Sequence, residues 1–154
     1  MPSDMRIIEA GSQHLDAIAR LFDAYRVFYR QPTDVAAATR FIAERFARRD
    51  SVIYLALAGE TPAGFAQLYP SLSSVSMRPI WILNDLFVAH EFRGRGVGRR
   101  LMDRCRELAS ASGAVRVELT TERTNTTAQA LYESVGYARD EVFFKYLLTV
   151  DTRA

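Results

Sequence analysis

Apolar residues along this chain switch between strand-like alternation and helical spacing, and each switch marks an element. Arg6-Ile7-Ile8 opens as a short strand. Gly11-Ser12 offers a turn and a cap, after which Leu15, Ile18, Leu21, Phe22 and Tyr25 form a helical stripe. Phe28 and Tyr29 follow. Pro32 then predicts a break, because a proline inside a helix removes a donor and clashes with the preceding turn. Thr33 or Asp34 caps a second helix with Ala38, Phe41, Ile42 and Phe46 on its apolar face. Arg45, Arg48 and Arg49 suit its negative dipole end. Val52 to Leu55 and Ala63 to Tyr69 predict a hairpin around Gly59-Glu60-Thr61-Pro62. The serine-rich stretch Pro70 to Pro79 predicts a short connecting loop at the mouth of the site built by the next strand.

Ile80-Trp81-Ile82-Leu83 and Leu86-Phe87-Val88 predict one buried strand with a polar break at Asn84-Asp85. Arg93-Gly94-Arg95-Gly96-Val97-Gly98 comes next, then Leu101, Met102, Cys105 and Leu108 at helical spacing, with a stop at Gly113. Val115, Val117 and Leu119 alternate with polar residues and predict a strand. Glu122 to Thr127 is a polar loop in which Asn125 or Thr126 caps a short helix carrying Ala128, Leu131, Tyr132 and Val135, ended by Gly136. Tyr137-Ala138 and Val142 to Leu148 predict closing strands. Strands alternating with helices, plus a hairpin, predict a mixed α/β sheet covered by helices in one domain over residues 1–154.

The glycine-rich turn carries the clearest chemistry. Alternate glycines remove the β-carbons that would hold a ligand off the backbone. The free N–H groups of the helix's first turn point outward, with the positive dipole end behind them. Arg93, Arg95, Arg99 and Arg100 add full charges. Donors, dipole and arginines converge on a polyphosphate. The spacing is neither a Walker A loop, since no Gly-Lys-Ser/Thr follows, nor G-x-G-x-x-G.

Composition narrows the partners. With 154 residues, 49% apolar and 25% charged, the chain suits one globular core. A net charge of +2 and the lack of a second basic cluster argue against nucleic acid. No apolar run approaches a membrane span, and Met1-Pro2-Ser3-Asp4 lacks the character of a signal peptide, which predicts a cytoplasmic protein. The lone Cys105 cannot form an internal disulfide and reads as a small buried hydrophobe. His14 and His90 show no metal-ligand spacing, so no metal is expected.

A strand with a mid-strand break followed by Arg-x-x-Gly-x-Gly resembles the acetyl-CoA site of GCN5-related N-acetyltransferases (GNAT). Asn125, Ala128, Leu131-Tyr132 and Gly136-Tyr137 stand in the order of that family's second block. Leu83-Asn84-Asp85-Leu86-Phe87-Val88 and Val142-Phe143-Phe144-Lys145-Tyr146 are similar to its histone/polyamine and diamine acetyltransferase branch. The resemblance implies a mixed, mostly antiparallel sheet with helices on both faces and a splayed central strand pair. It also implies direct acetyl transfer from acetyl-CoA to an amine in a ternary complex, and a homodimer. A CoA-binding sensor of the same fold, without turnover, is the alternative.

The resemblance assigns roles residue by residue. Leu86, Phe87 and Val88 would present backbone groups to the pantetheine arm, extending the sheet like an added strand. A bulge at Asn84-Asp85 would open the ladder for it. The N–H groups of Gly94, Arg95, Gly96, Val97, Gly98 and Arg99, beside Arg93, would hold the pyrophosphate. Asn125 would contact pantetheine or fix its own loop. Tyr132 would protonate the leaving thiolate, a task suited to a hydroxyl with a pKa near 10; packing in the core is the alternative that its motif position makes weaker. The acceptor ammonium must lose a proton before attack. Asp85 directly, Glu118 or Glu122 through water, or a water held by Asn84 could accept it. The diamine enzymes carry Glu-Asp where this chain has Asn84-Asp85, and Asn cannot be a base. Tyr25, Phe28 and Tyr29 would border the acceptor, although Tyr25 and Phe28 also fit a core stripe.

Overall fold

A computed structural model describes residues 4–153. Five strands form one sheet in the order β1-β2-β3-β4-β5: β1 (Met5–Glu9), β2 (Val52–Ala58), β3 (Thr61–Ser73), β4 (Arg78–Val88) and β5 (Val117–Glu118). The first four pair antiparallel, and β5 joins β4 in parallel. Helices α1 (Leu15–Phe28) and α2 (Val35–Arg48) cover one face. Helices α3 (Val97–Ala111) and α4 (Thr126–Ser134) cover the other. The mixed, mostly antiparallel sheet between two helical layers is the expected architecture.

Alternation along the strands builds two cores. Ile53, Leu55, Phe65 and Phe87 point at Ile18, Phe22 and Ile42 of the first layer. Tyr54, Ala56, Ala66, Leu68 and Leu83 point at Val97, Leu101, Met102 and Cys105 of the second. Each fully buried large side chain contributes roughly 1.5–3 kcal/mol, so both layers are anchored through ordinary burial. The break at Pro32 is real and has a buried clasp. The Asp23 carboxylate accepts the Thr33 hydroxyl at 2.6 Å and the Asp34 N–H at 2.7 Å. Asp34 in turn caps α2 by accepting the Ala37 N–H at 3.0 Å.

Three expectations need correction. Pro70 to Pro79 is not a loop at the site. It forms the outer arms of the β3–β4 hairpin, with only Ser74 to Met77 in the turn, and it lies at the end of β4 remote from Val88. Both prolines sit where the hairpin overhangs the sheet, a location that tolerates a missing donor. The strand at Val115 to Leu119 shrinks to Val117–Glu118. The closing strands over Tyr137-Ala138 and Val142 to Leu148 are not formed. Val142, Phe143, Phe144, Tyr146, Leu147 and Leu148 are instead exposed. Their nearly continuous apolar run is the pattern of a strand buried on both faces, and this chain alone supplies cover for neither.

Candidate active site

The register of β4 creates the site. Gln67 faces Asp85 but Leu68 faces Leu83, so Asn84 is an extra residue bulged out of the ladder. On the other edge, β5 pairs only at Trp81↔Val117 and Ile82↔Glu118. From Leu83 to Val88 that edge has no ladder partner among the described residues. The two central strands, β4 and β5, therefore part beyond Ile82, leaving an edge of β4 without a strand partner, as expected for a splayed pair.

Just past the open edge, residues 93–96 turn into α3 and stay exposed. Gly94 and Gly96 adopt φ +76° and +78°, the left-handed region where a β-carbon is strained. The first helical bond of α3 runs from the Arg100 N–H to the Gly96 carbonyl at 3.1 Å. No acceptor takes the N–H groups of Gly94, Arg95, Gly96, Val97, Gly98 and Arg99 among the described residues. Gly98 lies where a β-carbon would stand 3.1 Å from Leu131 Cδ2, so it also seats α4 on α3. The open backbone donors at a helix N-terminus fit a diphosphate.

The arginines behave less uniformly than their spacing suggests. Arg93 donates through Nε to the Val88 carbonyl at 3.0 Å, and its guanidinium lies over the rings of Phe28 (5.4 Å) and Phe87 (5.5 Å). Arg99 reaches Ser134 Oγ of α4 at 2.7 Å. Arg95 rests over Phe92. Asn125 accepts the Ala128 N–H at 3.2 Å and so caps α4, leaving its amide nitrogen open.

Side chains from α1, β4 and α4 converge on the parted strands. Tyr25 stacks edge-on against Phe65, Tyr29 and Phe87, and is half-buried rather than sealed in the core. Phe28 is half-exposed and touches Tyr29 and Phe87. The Tyr132 ring lies 6.3 Å from that of Tyr137, and its hydroxyl is near enough to Tyr29 to feel that group's charge. Burial, then that neighbour, raises the Tyr132 hydroxyl above its ordinary value, with Thr121 opposing. It therefore stays protonated at neutral pH. Arg30 of the α1–α2 connection pairs with Glu122 of the β5–α4 loop at 3.1 Å, and both charges act on Tyr29.

Asp85 is the chemically unusual member. Only 4% of it is exposed. Its Oδ2 accepts Gln67 Nε2 at 2.8 Å and its Oδ1 accepts Asn84 Nδ2 at 3.1 Å. Gln67, itself wholly buried, accepts the Ser51 hydroxyl at 2.9 Å. Burial pushes the Asp85 carboxyl up, against those hydrogen bonds. Sequence reasoning did not single out Gln67, although a lone amide inside the apolar run Ala63 to Leu68 was the available signal. The other candidate bases are differently engaged, Glu118 with Arg116 at 2.6 Å and Glu122 with Arg30. Cys105 is buried on α3, and burial pushes its thiol up to about 12. No cluster able to hold a metal ion occurs among the described residues, nor does a helix long and apolar enough to cross a membrane.

A parted sheet edge leading to an open helix N-terminus suits a long phosphate-bearing ligand. Residues 15–137 match the acetyltransferase (GNAT) family model, and the chain belongs to that family. It is 43% identical over 149 residues to an uncharacterized N-acetyltransferase of Bacillus subtilis, covering 97% of this chain and 100% of that one. It is 32% identical to a D-amino-acid N-acetyltransferase of Saccharomyces cerevisiae, covering 84% and 83% of the two chains. The crystal structure of a probable acetyltransferase superposes with a TM-score of 0.90 at 42% identity, covering 95% and 98%. The protein is accordingly an enzyme that transfers an acetyl group to an amine.

Proposed function

We propose that residues 1–154 form one acetyl-CoA-dependent N-acetyltransferase domain acting on a primary amine by direct attack in a ternary complex. The observation that carries this reading is the stretch Leu83–Val88 of β4, whose outer edge has no strand partner, leading to the free N–H groups of Gly94 to Arg99. When bound, acetyl-CoA supplies the activated thioester. Gly94 to Arg99 hold its pyrophosphate, and the open edge of Leu86, Phe87 and Val88 takes its amides. The open amide of Asn125 borders the same arm. Tyr132 gives its proton to the departing thiol sulfur. Asp85 draws the proton off the acceptor, whose cation is received between Tyr25, Phe28, Tyr29 and the bulged Asn84.

Aromatic walls beside a buried carboxylate favour a small cationic amine, polyamine or lysine-like acceptor. The Arg30–Glu122 pair at the mouth also suits a zwitterion, in keeping with the amino-acid substrate named for the yeast relative. We infer a cytoplasmic site of action. The protein works as a homodimer, for which the exposed apolar run Val142 to Leu148 provides the surface. The deciding experiment is thiol release from acetyl-CoA with a panel of polyamines, amino acids and lysine peptides. Turnover with at least one amine supports the enzyme. Saturable acetyl-CoA binding with no thiol release from any of them supports the sensor instead.

A further inference from the structure

One ion pair spans the rim of the site. Arg30 Nη2 donates to Glu122 Oε2 at 3.1 Å. Among the described residues it is the only hydrogen bond joining the α1–α2 layer to the β5–α4 segment. Each end rests on a wall of the site. Beside Arg30 stands Tyr29, whose ring centre lies 5.1 Å from that of Tyr25. The Tyr25 hydroxyl donates in turn to the carbonyl of the bulged Asn84 at 3.4 Å. On the other wall, Gln129 Nε2 of α4 donates to the Glu122 and Arg123 carbonyls, both at 3.0 Å, and fixes the loop. Gln129 and Tyr132 stand three residues apart, on one side of that helix.

Two features set this pair apart from an ordinary surface contact. Arg30 sits at φ +68°, in the left-handed region, in the turn that ends α1. Its N–H donates to the Val27 carbonyl at 2.9 Å, and the Gln31 N–H donates to the Arg26 carbonyl at 3.0 Å. Glycine takes such a position without strain. An arginine there carries a backbone cost, and what it adds is a guanidinium at the rim. Thr121, the neighbour of Glu122, has a buried hydroxyl with no partner among the described residues. A polar group left over beside the pair suits something that enters.

We propose that Glu122 holds the place of a substrate carboxylate on Arg30: the acceptor is an amine that also carries a carboxylate, and Arg30 selects it. This rests on the acetyltransferase reading of the site. The acceptor's amine lies at the bulge beside Asn84, and its carboxylate turns back to the rim. There it displaces Glu122 from Arg30. The exchange is easy, because the two side chains are 73% and 44% exposed and a solvated pair holds weakly. It is also favourable, because a single hydrogen bond gives way to the two parallel N–H···O bonds that a guanidinium offers a free carboxylate. Glu122 then swings into solvent. An amine without a carboxylate leaves the pair closed and gains nothing from Arg30.

The test uses matched acceptors: alanine, lysine and ε-aminocaproate, each against its own carboxamide, assayed by thiol release at saturating acetyl-CoA. Every variant is compared with wild type on the same pair, so the intrinsic reactivity of the amines cancels. Wild type should prefer the acid in at least one pair. Arg30→Ala should cut that preference about 10–100-fold, through acceptor KM more than kcat, with acetyl-CoA affinity by calorimetry unchanged. Arg30→Lys keeps the charge but loses the fork, and should recover part of the preference. Glu122→Gln removes the competing carboxylate and should lower KM for the acid, raising the preference above wild type. Absence of an acid preference in every wild-type pair would overturn the proposal. So would an Arg30→Ala loss shared equally by acid and amide, which would make the pair a strap across the rim and no selector. If Arg30→Ala fails to fold, Glu122→Gln decides alone: a raised acid preference supports the exchange, and an unchanged or lowered one sinks it. Wild-type protein that binds acetyl-CoA yet releases no thiol with any amine defeats the transferase reading itself, a result distinct from turnover without acid preference.

Discussion

The two faces of the central sheet are built of different materials. On the α3–α4 face the proposed donor cradle is backbone: the bare N–H groups of Gly94 to Arg99 and the unladdered edge of β4. On the α1–α2 face the proposed acceptor surroundings are side chain: Tyr25, Tyr29, Phe28 and the buried Asp85–Gln67 pair. The bulge at Asn84 joins them, since it both opens the ladder and turns Asp85 inward. A backbone site serves any acyl-CoA, because it reads only the parts common to all of them. A side-chain site can be changed without disturbing that grip. The division separates what all members of such a fold must do from what each selects.

The sharpest way to break this comparison is to remove the group that works across both faces. Tyr132→Phe should lower turnover about 10²–10⁴-fold while calorimetry finds acetyl-CoA affinity unchanged. Equal loss of affinity would make Tyr132 part of the donor wall only. Next, Gly96→Val places a β-branched residue at φ +78°. The strain, about 1–2 kcal/mol or more, should weaken acetyl-CoA binding at least tenfold and leave the acceptor KM nearly unaltered at saturating donor. An effect on the acceptor instead would contradict the division.

A third measurement is the alkaline side of the wild-type kcat profile. Tyr132 ionises only above its usual 10.0, so turnover should hold through pH 9. A fall below pH 9 would assign the limb to another group. Smaller still, Arg30→Ala breaks an exposed pair worth about 0–1 kcal/mol, so the melting temperature should barely move while the acceptor KM shifts. The smallest effect concerns Cys105. A soluble thiol reagent at pH 8 should leave it unlabelled in the native protein and modify it once the chain is unfolded.

Stability at Asp85 has a definite sign. Its folded carboxyl sits above the ordinary 3.8 because burial penalises the charge. The folded state therefore holds this proton more tightly than the unfolded chain, and stability contributed here declines as pH rises from 3.8 toward the raised value. Asp85→Asn at neutral pH removes that charge penalty but sets an amide N–H₂ against one of the two donors, Gln67 Nε2 or Asn84 Nδ2, so the melting temperature should move little while the rate falls.

The same division explains what could be read from the residues alone. The open helix N-terminus was legible because such backbone leaves a glycine signature: Gly94 and Gly96 take the left-handed turn that leads into α3. The strand break at Asn84-Asp85 was legible as two polar residues in an apolar run. The acceptor side was only partly so. Tyr25 and Phe28 share one spacing for core and for pocket, and nothing in the pattern says which side of a ring meets solvent. Gln67 and the clasp of Asp23 on Thr33 and Asp34 depend on partners distant along the chain. The serine-rich stretch misled because alternation, not serine content, decides whether two arms pair. The tail misled because a strand pattern declares what a segment needs, not whether its own chain provides it.

The brevity of β5 has a mechanical outcome. With only two residues pairing to β4, the sheet holds α4 weakly, and α4 is clamped chiefly by α3. Leu131 seats on Gly98, Arg99 reaches Ser134, and Arg106 donates to the Val135 carbonyl. The helix proposed to hold the phosphates at its tip thus also clamps α4, the helix that bears Tyr132. On that reading a shift of α3 is transmitted to α4, and a donor seated badly at one end would misaim the proton at the other.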